Sequence, residues 1–394
     1  MCLKCAVLKR VMTAIGIMVS VGCGGSAGAG SATPGGFVEG KDYVVLERVR
    51  LLDSQGFDKP VEAMSVLEPR NWKTDGGVTW KTINDCRGEM ITWHMSSVSP
   101  DGSVRIDVPP TRSFVWSEDP RQQQLNMNSA GRGGCAVSRP FDATTYLQTI
   151  ARDELGGATV SDVRTDESLA GMIGKFVQIS DDTARRFGTG MQASGTGIYA
   201  NLQFPDGTQG LANIGVTVVM KASRDMFTGR PNGFATTSVF HRVIVRFKPE
   251  RREEAIKVFG MTLSGYRVNP IWQRAKDEFM TQLGNIEHAG RMEIIRLMGE
   301  QASAYAKSRS DAQDQAMRNW EQQNTASDAS QHRFIQTIRE VETWKDSAGN
   351  PVELGAGYEH GWSRPDGSYI LTNNSTFDPA VVFQQNWTKM EKKK

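Results

Sequence analysis

The sequence lacks an excess of either charge. Its 394 residues include 46 Lys and Arg against 44 Asp and Glu, so the formal net charge is only +2. Because this balance provides no long-range attraction to polyanions, we expect no nucleic-acid partner. Apolar residues make up 39% of the chain, enough for a sizeable core, and this excludes disorder along the whole length.

Recognisable catalytic and metal-binding motifs are also missing from the part of the sequence expected to fold. The five histidines are scattered and form no His-Glu-x-x-His pair, so we predict no metal site. The glycine pairs at 188–190 and 195–197 precede a predicted strand, whereas a dinucleotide-binding loop follows a strand and opens a helix. We therefore predict no cofactor and assign no catalytic residue.

An uncharged, mostly apolar run at 11–21 (VMTAIGIMVSV) follows Lys4, Lys9 and Arg10. At about 1.5 Å per residue this run covers only ~16 Å of a hydrocarbon core that is ~30 Å thick. A basic start followed by a short apolar run is typical of a signal peptide. We predict that residues 1–22 are a signal peptide and that the protein is exported.

Cys23 directly follows the residues Ser-Val-Gly at 20–22, which resemble the signal of bacterial lipoproteins. Ser20 departs from that pattern, in which an aliphatic residue is usual. The resemblance implies that Cys23 carries lipid and anchors the protein to a membrane. The alternative is ordinary cleavage after the small residues at 27–29. Residues 23–41 are rich in Gly, Ser and Ala and predict a flexible tether.

Cysteine is scarce, with five residues in the chain. Cys2 and Cys5 would leave with the signal peptide, and Cys23 is the lipidation candidate. The remaining pair, Cys86 and Cys135, predicts a disulfide in an exported protein. It would close a loop of about fifty residues, worth ~4 kcal/mol in the chain-entropy treatment. The alternative is two free buried thiols.

The region 42–248 predicts an α+β domain. Pro-Asp-Gly turns at 100–102 and 205–207 each separate runs of alternating apolar residues, which predicts two β-hairpins. Asp142 and Ser168 are suited to cap two helices. We therefore expect a mainly antiparallel sheet with packed helices. The order of these elements resembles the PsbP-like fold of small exported accessory proteins, which implies a binding or assembly role without catalytic residues.

Residues 249–343 predict a helical segment, with Pro249 placed to open it. Trp272, Phe279 and further apolar residues recur at spacings of three and four. Because a long helix with so narrow an apolar stripe is not stable alone, it must fold back, dock on the sheet or pair with a second copy. A coiled coil in a homo-oligomer is one such arrangement, although the heptad is irregular.

Residues 344–394 predict a small β-meander, because turn sequences at 346–351 and 364–367 each join two short strand patterns. This part, with the helix end before it, contains IREVETWKD, GNPVEL, GYEHGWSRPDGSYILTNN and FDPAV. These sequences resemble a family of uncharacterised exported bacterial proteins. The resemblance implies export and a similar architecture, and it implies no activity.

The meander contains a group of aromatic residues, Trp344, Tyr358, Trp362 and Tyr369. On a small sheet they could form an exposed surface that binds a glycan or a peptide. The alternative is that they form the small core of this region.

These patterns predict an exported envelope protein, periplasmic or an outer-membrane lipoprotein, that acts by binding as an accessory or scaffold. Its partner would be an envelope protein or a cell-wall component. One alternative is a hydrolase whose site is assembled only in the fold. Another is a self-assembling structural protein.

Overall fold

The computed structural model describes residues 36–57, 59–82, 85–224, 229, 232–283 and 341–393. The predicted class is confirmed: the chain is α+β, with antiparallel sheets and packed helices. The predicted signal peptide, Cys23, most of the tether and much of the predicted helical segment (284–340) lie outside the described residues.

The strands are β1 (Tyr43–Asp53), β2 (Val61–Pro69), β3 (Lys73–Trp80), β4 (Ile91–Val98), β5 (Val104–Val108), β6 (Arg112–Ser117), β7 (Ala136–Val137), β8 (Thr159–Thr165), β9 (Gln192–Gln203), β10 (Gln209–Lys221), β11 (Phe234–Phe247), β12 (Arg267–Val268), β13 (Val341–Lys345), β14 (Pro351–Gly355), β15 (His360–Ser363), β16 (Tyr369–Thr372), β17 (Thr388–Lys389) and β18 (Glu391–Lys392). The helices are α1 (Pro120–Ala130), α2 (Ala143–Asp153), α3 (Glu167–Phe187), α4 (Arg252–Ser264), α5 (Pro270–Leu283) and α6 (Pro379–Phe383).

The largest sheet has the order β3-β4-β5-β11-β10-β9-β8, and β6 joins it beside β11. Both predicted hairpins are present as β4–β5 and β9–β10. Strand β7 runs parallel to β6 at the outer side. A bulge in β11 opposite Gly215 places Phe240 and His241 side by side.

A second sheet has the order β12-β2-β1-β16-β15-β17 and joins the two ends of the described chain. Tyr43 lies opposite Thr372, and Leu46 lies opposite Tyr369. Strands β13 and β14 pair instead with each other, and β13 also pairs with β18. The two expected C-terminal hairpins therefore form, but in different sheets, so they do not make one meander. The physical reason is that β16 pairs with β15 at one edge and with β1 at the other, so neither edge is left for β13 or β14.

The predicted helical segment begins as expected, with Pro249 in a 3-10 turn that leads into α4. On α5, Trp272 and Phe279 are buried in the main core. The buried Asp53 of β1 accepts hydrogen bonds of 2.8 Å from the indole nitrogens of both Trp80 and Trp272. This shared carboxylate fixes α5 against strands of both large sheets. The segment ends earlier than predicted, because β13 already begins at Val341.

Candidate functional site

The four aromatic residues predicted as a binding surface do not form one in the structure. Trp344, Trp362 and Tyr369 are only 1%, 7% and 2% exposed, and Tyr358 is half-buried. Trp362 packs with Phe377 in one apolar cluster, whereas Trp344 and Tyr369 belong to the main core. Tyr358 packs against the main core, so these rings stabilise the fold and contribute no open aromatic platform.

The predicted disulfide is present, with Cys86 and Cys135 joined at an Sγ–Sγ distance of 2.02 Å. Within the described ranges, no three His, Cys, Asp or Glu residues come close enough to hold a metal ion. Asp346, which begins a turn with a superficial likeness to a calcium loop, accepts bonds from the backbone N–H of Ala348 and Asn350. No helix in this part of the chain has the length and hydropathy needed to span a membrane.

A network of hydrogen bonds between largely buried polar side chains connects the start of α3 to the bulge in β11. The Asp166 carboxylate accepts a bond of 2.8 Å from Asn213 Nδ2, and Asn213 Oδ1 lies 2.8 Å from His241 Nε2. Because Nδ2 is the donor to Asp166, Oδ1 must accept, and His241 therefore carries a proton on Nε2. These hydrogen bonds orient the His241 ring and anchor α3. The Nε2 atom of His241 cannot act as a base in this arrangement.

Helix α3 begins two residues earlier than the sequence suggested. Asp166, and not Ser168, caps it, by accepting the backbone N–H of Leu169 at 3.0 Å. The other Asp166 oxygen holds Asn213, so a single carboxylate joins helix and sheet. Gly188 ends the helix in the left-handed conformation, as a C-terminal glycine commonly does.

One side of α3 packs tightly on β9. A Cβ on Gly195 would lie 2.7 Å from Ile173 Cγ2, and a Cβ on Gly197 would lie 2.8 Å from Leu169 Cγ. Two glycines on one strand face thus allow the helix to approach closely. Ala184 completes the buried side.

The adjoining side of α3 is apolar but open to solvent. Met172, Phe176 and Ile179 are 46%, 40% and 67% exposed. Their spacings of four and three residues place them in one line along the helix. We call these three residues the α3 strip. The α3 strip adjoins the buried side of the helix. The sheet therefore covers only about half of the apolar surface of α3.

The position of Asp181 shows which way the α3 strip faces. Its carboxylate accepts the backbone N–H of Ala193 at 3.2 Å, on the same edge of β9 where Gly197 C=O accepts from Asp166. That edge is the outer one, towards β8. About 3.6 residues per turn put Asp181 and the strip on opposite flanks of the helix. The strip therefore lies on the flank of the helix that is turned towards β10 and β11.

The charged residues of α3 are balanced. The cations Lys175, Arg185 and Arg186 accompany the anions Glu167, Asp181 and Asp182. Lys175 and Asp182 lie one turn on either side of Ile179, which places one charge of each sign beside the α3 strip. The surface is thus a short apolar line with a mixed polar border.

Comparisons with protein-family models, with curated proteins and with solved structures yield no match. The inferences about function therefore rest on the residues and geometry described above.

Proposed function

We propose that this is an exported envelope protein that acts by binding another envelope protein, with the α3 strip as the contact surface. The observation that carries the proposal is the exposure of three large apolar side chains in one line on a capped and well-anchored helix. Contiguous exposed apolar surface of this kind is typical of interaction sites in soluble domains. The proposed role is that of an accessory or scaffold.

The charge pattern favours a protein as the partner. A helix that binds an anionic membrane surface carries an excess of Lys and Arg on its polar face. The border of the α3 strip instead carries Lys175 and an Asp182 that is paired with Arg185, so both charge signs are present. A partner with an apolar segment flanked by both charge signs would match it, because opposite charges at the rim select the partner and its orientation.

Export and lipid anchoring are part of the same proposal. They rest on the signal-peptide pattern of residues 1–22 and on Cys23. The Cys86–Cys135 bond supports them, because disulfides persist mainly in oxidising compartments. The location would be the periplasm, or the outer membrane through a lipid on Cys23. Cell-wall binding, hydrolysis and self-assembly remain the alternative functions.

Site-specific photocrosslinking in intact envelopes tests the proposal. A photoreactive residue replaces Ile179 in the full chain, and the matched control carries it in place of Val381, which is 74% exposed on α6. We expect an adduct with one defined protein at position 179 and none with that protein at position 381. Once identified and purified, that protein should bind about tenfold more weakly to Ile179→Asp than to Val381→Asp.

Four other outcomes contradict the proposal. An adduct with lipid identifies the membrane as the ligand, and an adduct with a second copy identifies self-assembly. A crosslink to residues 284–340 shows that the chain covers its own strip. Equal adducts at both positions show that the contact is not specific.

A further inference from the structure

A cavity of about 410 Å³ opens between α1 and the outer edge of β6. Its lining includes Glu89, Arg112, Met127, Ala130, Gly134 and Ala136. We call it the disulfide groove, because Gly134 directly precedes Cys135 and Glu89 lies one 3-10 turn after Cys86. Its volume is in the range of small-ligand sites.

The walls of the disulfide groove are fixed by covalent and hydrogen bonds. Besides the disulfide, the backbone N–H of Cys86 donates to Gly133 C=O at 2.8 Å. On the other wall, Gly134 N–H donates to Ser129 C=O at 3.0 Å, which holds the end of α1. Ala136 at the floor belongs to β7 and is paired with Phe114 of β6. The groove therefore exists without a ligand to organise it.

One end of the disulfide groove has one more positive than negative charge. The largely buried Glu89 accepts Lys81 Nζ at 2.8 Å on one oxygen and the backbone N–H of Ser113 at 2.9 Å on the other. Arg112 Nε is 3.6 Å from the carboxylate, which is longer than a hydrogen bond. Glu89 is thus shared by two cations, Lys81 and Arg112, so the three groups together carry one net positive charge at the groove.

The guanidinium of Arg112 lies 5.8 Å from the centre of the Phe114 ring, and its Nη donors are available to a ligand. Its side chain is 42% exposed, and neither of its Nη atoms donates a hydrogen bond to any residue that the structure describes. Next to it are the apolar side chains of Met127, Ala130 and Ala136. The free Nη donors and the single net positive charge, beside these apolar side chains, match one planar carboxylate on a short aliphatic chain. A phosphate dianion would exceed that single net charge.

We propose that the disulfide groove binds a small aliphatic monocarboxylate. The carboxylate pairs with Arg112, and the chain lies against Met127, Ala130 and Ala136. This site is separate from the α3 strip and does not depend on the protein partner proposed for it.

Calorimetric titration of the intact purified protein with hexanoate tests the proposal. We expect saturable binding by the natural protein at neutral pH and about tenfold weaker binding by Arg112→Gln. Arg105→Gln is the matched control, since Arg105 is exposed on β5 and pairs with Asp107, and it should bind as the natural protein does. Hexylamine has the same chain with the opposite charge and should not bind.

A second variant keeps the test decisive if Arg112→Gln perturbs the fold. Ala130→Phe lies on α1, whose eleven residues all remain at least partly exposed, and its ring should fill the groove and abolish hexanoate binding with Arg112 intact. Three results would overturn the proposal. These are no saturable binding by the natural protein, equal affinity in Arg112→Gln, or equally tight binding of hexylamine.

Discussion

Helices α2 and α3 lie on opposite faces of the same strands and use their apolar surface differently. At the start of α2, the backbone N–H of Ala143 donates to Thr196 Oγ1, whereas α3 contacts the neighbouring glycines Gly195 and Gly197 on the other face. The apolar side chains of α2, including Leu147 and Ile150, are buried. On α3 the same kind of residue is half buried and half exposed.

The difference shows what each helix contributes. The sheet face under α2 is apolar and covers the whole apolar side of the helix. Under α3, the close contact with the sheet is made at two glycines on β9. The sheet therefore covers only one flank of this helix. We infer that α2 serves the stability of the fold and that the α3 strip serves an interaction.

The largest effect is expected in α2. Leu147→Ala removes a fully buried side chain and should lower the free energy of unfolding by about 3 kcal/mol, because it leaves a cavity. Chemical denaturation measures the change. A loss below about 1 kcal/mol would mean that α2 is loosely packed, and the contrast with α3 would disappear.

The next largest effects on the free energy of unfolding are expected at the two helix caps, which should differ from each other. Asp142 caps α2 at an exposed position, where it accepts the N–H of Thr145 at 2.7 Å, so Asp142→Ala should cost about 1 kcal/mol. The buried Asp166 also holds Asn213, and Asp166→Ala should cost about 2 to 3 kcal/mol, because α3 loses its cap and the Asn213 amide loses one of its two acceptors, the other being Ile198 C=O. Equal losses in denaturation experiments would show that the link between Asp166 and Asn213 carries no energy.

A smaller effect concerns pH. The backbone N–H of Thr145 holds the pKa of Asp142 below its ordinary value. A carboxyl whose pKa is lowered on folding adds stability above its unfolded pKa of about 3.9, and this is lost as the pH falls through the folded value. Asp142→Asn keeps a capping oxygen but does not titrate. Thermal melts from neutral to strongly acidic pH should therefore show a shallower loss of stability for the variant, and parallel curves would contradict this.

The smallest effect is expected on the α3 strip. Ile179→Gln should change the free energy of unfolding by less than about 0.5 kcal/mol, because the side chain is largely exposed. Ile173→Gln, six residues away on the buried side, is the matched control and should be strongly destabilising. A loss above about 1 kcal/mol at Ile179 would mean that the isolated chain already covers the strip.

Local patterns in the sequence predicted much of the fold. The Pro-Asp-Gly turns specify two hairpins because turn residues and alternating neighbours act over a few positions. The Asp142 cap and the Cys86–Cys135 bond were predicted in the same way, from side-chain chemistry and cysteine number.

The pairing of strands that are distant in the sequence could not be predicted from such local patterns. Nothing near Tyr43 indicates that it lies opposite Thr372, at the other end of the chain. This pairing places β16 inside a sheet, between β1 and β15, and there Tyr369 is buried in the main core, which is why the expected aromatic surface is absent from the described residues. The division of the chain into an N-terminal sheet domain, a helical segment and a C-terminal region remains a prediction.

The apolar residues that predicted helix α3 also indicate that its apolar surface is wide. Leu169, Met172, Ile173, Phe176 and Ile179 together cover a wider arc than one sheet contact needs. What the pattern cannot show is which part of the arc the sheet covers, because that depends on the glycines of another element.

Cysteine labelling tests the central claim most directly. Ile179→Cys on the α3 strip and Gln148→Cys on the exposed side of α2 are treated with a maleimide, both in purified protein and in intact envelopes, against the unsubstituted chain as background. We predict that both positions react in the purified protein and that position 179 alone is protected in envelopes. Equal labelling of the two positions in envelopes would contradict a partner on the α3 strip.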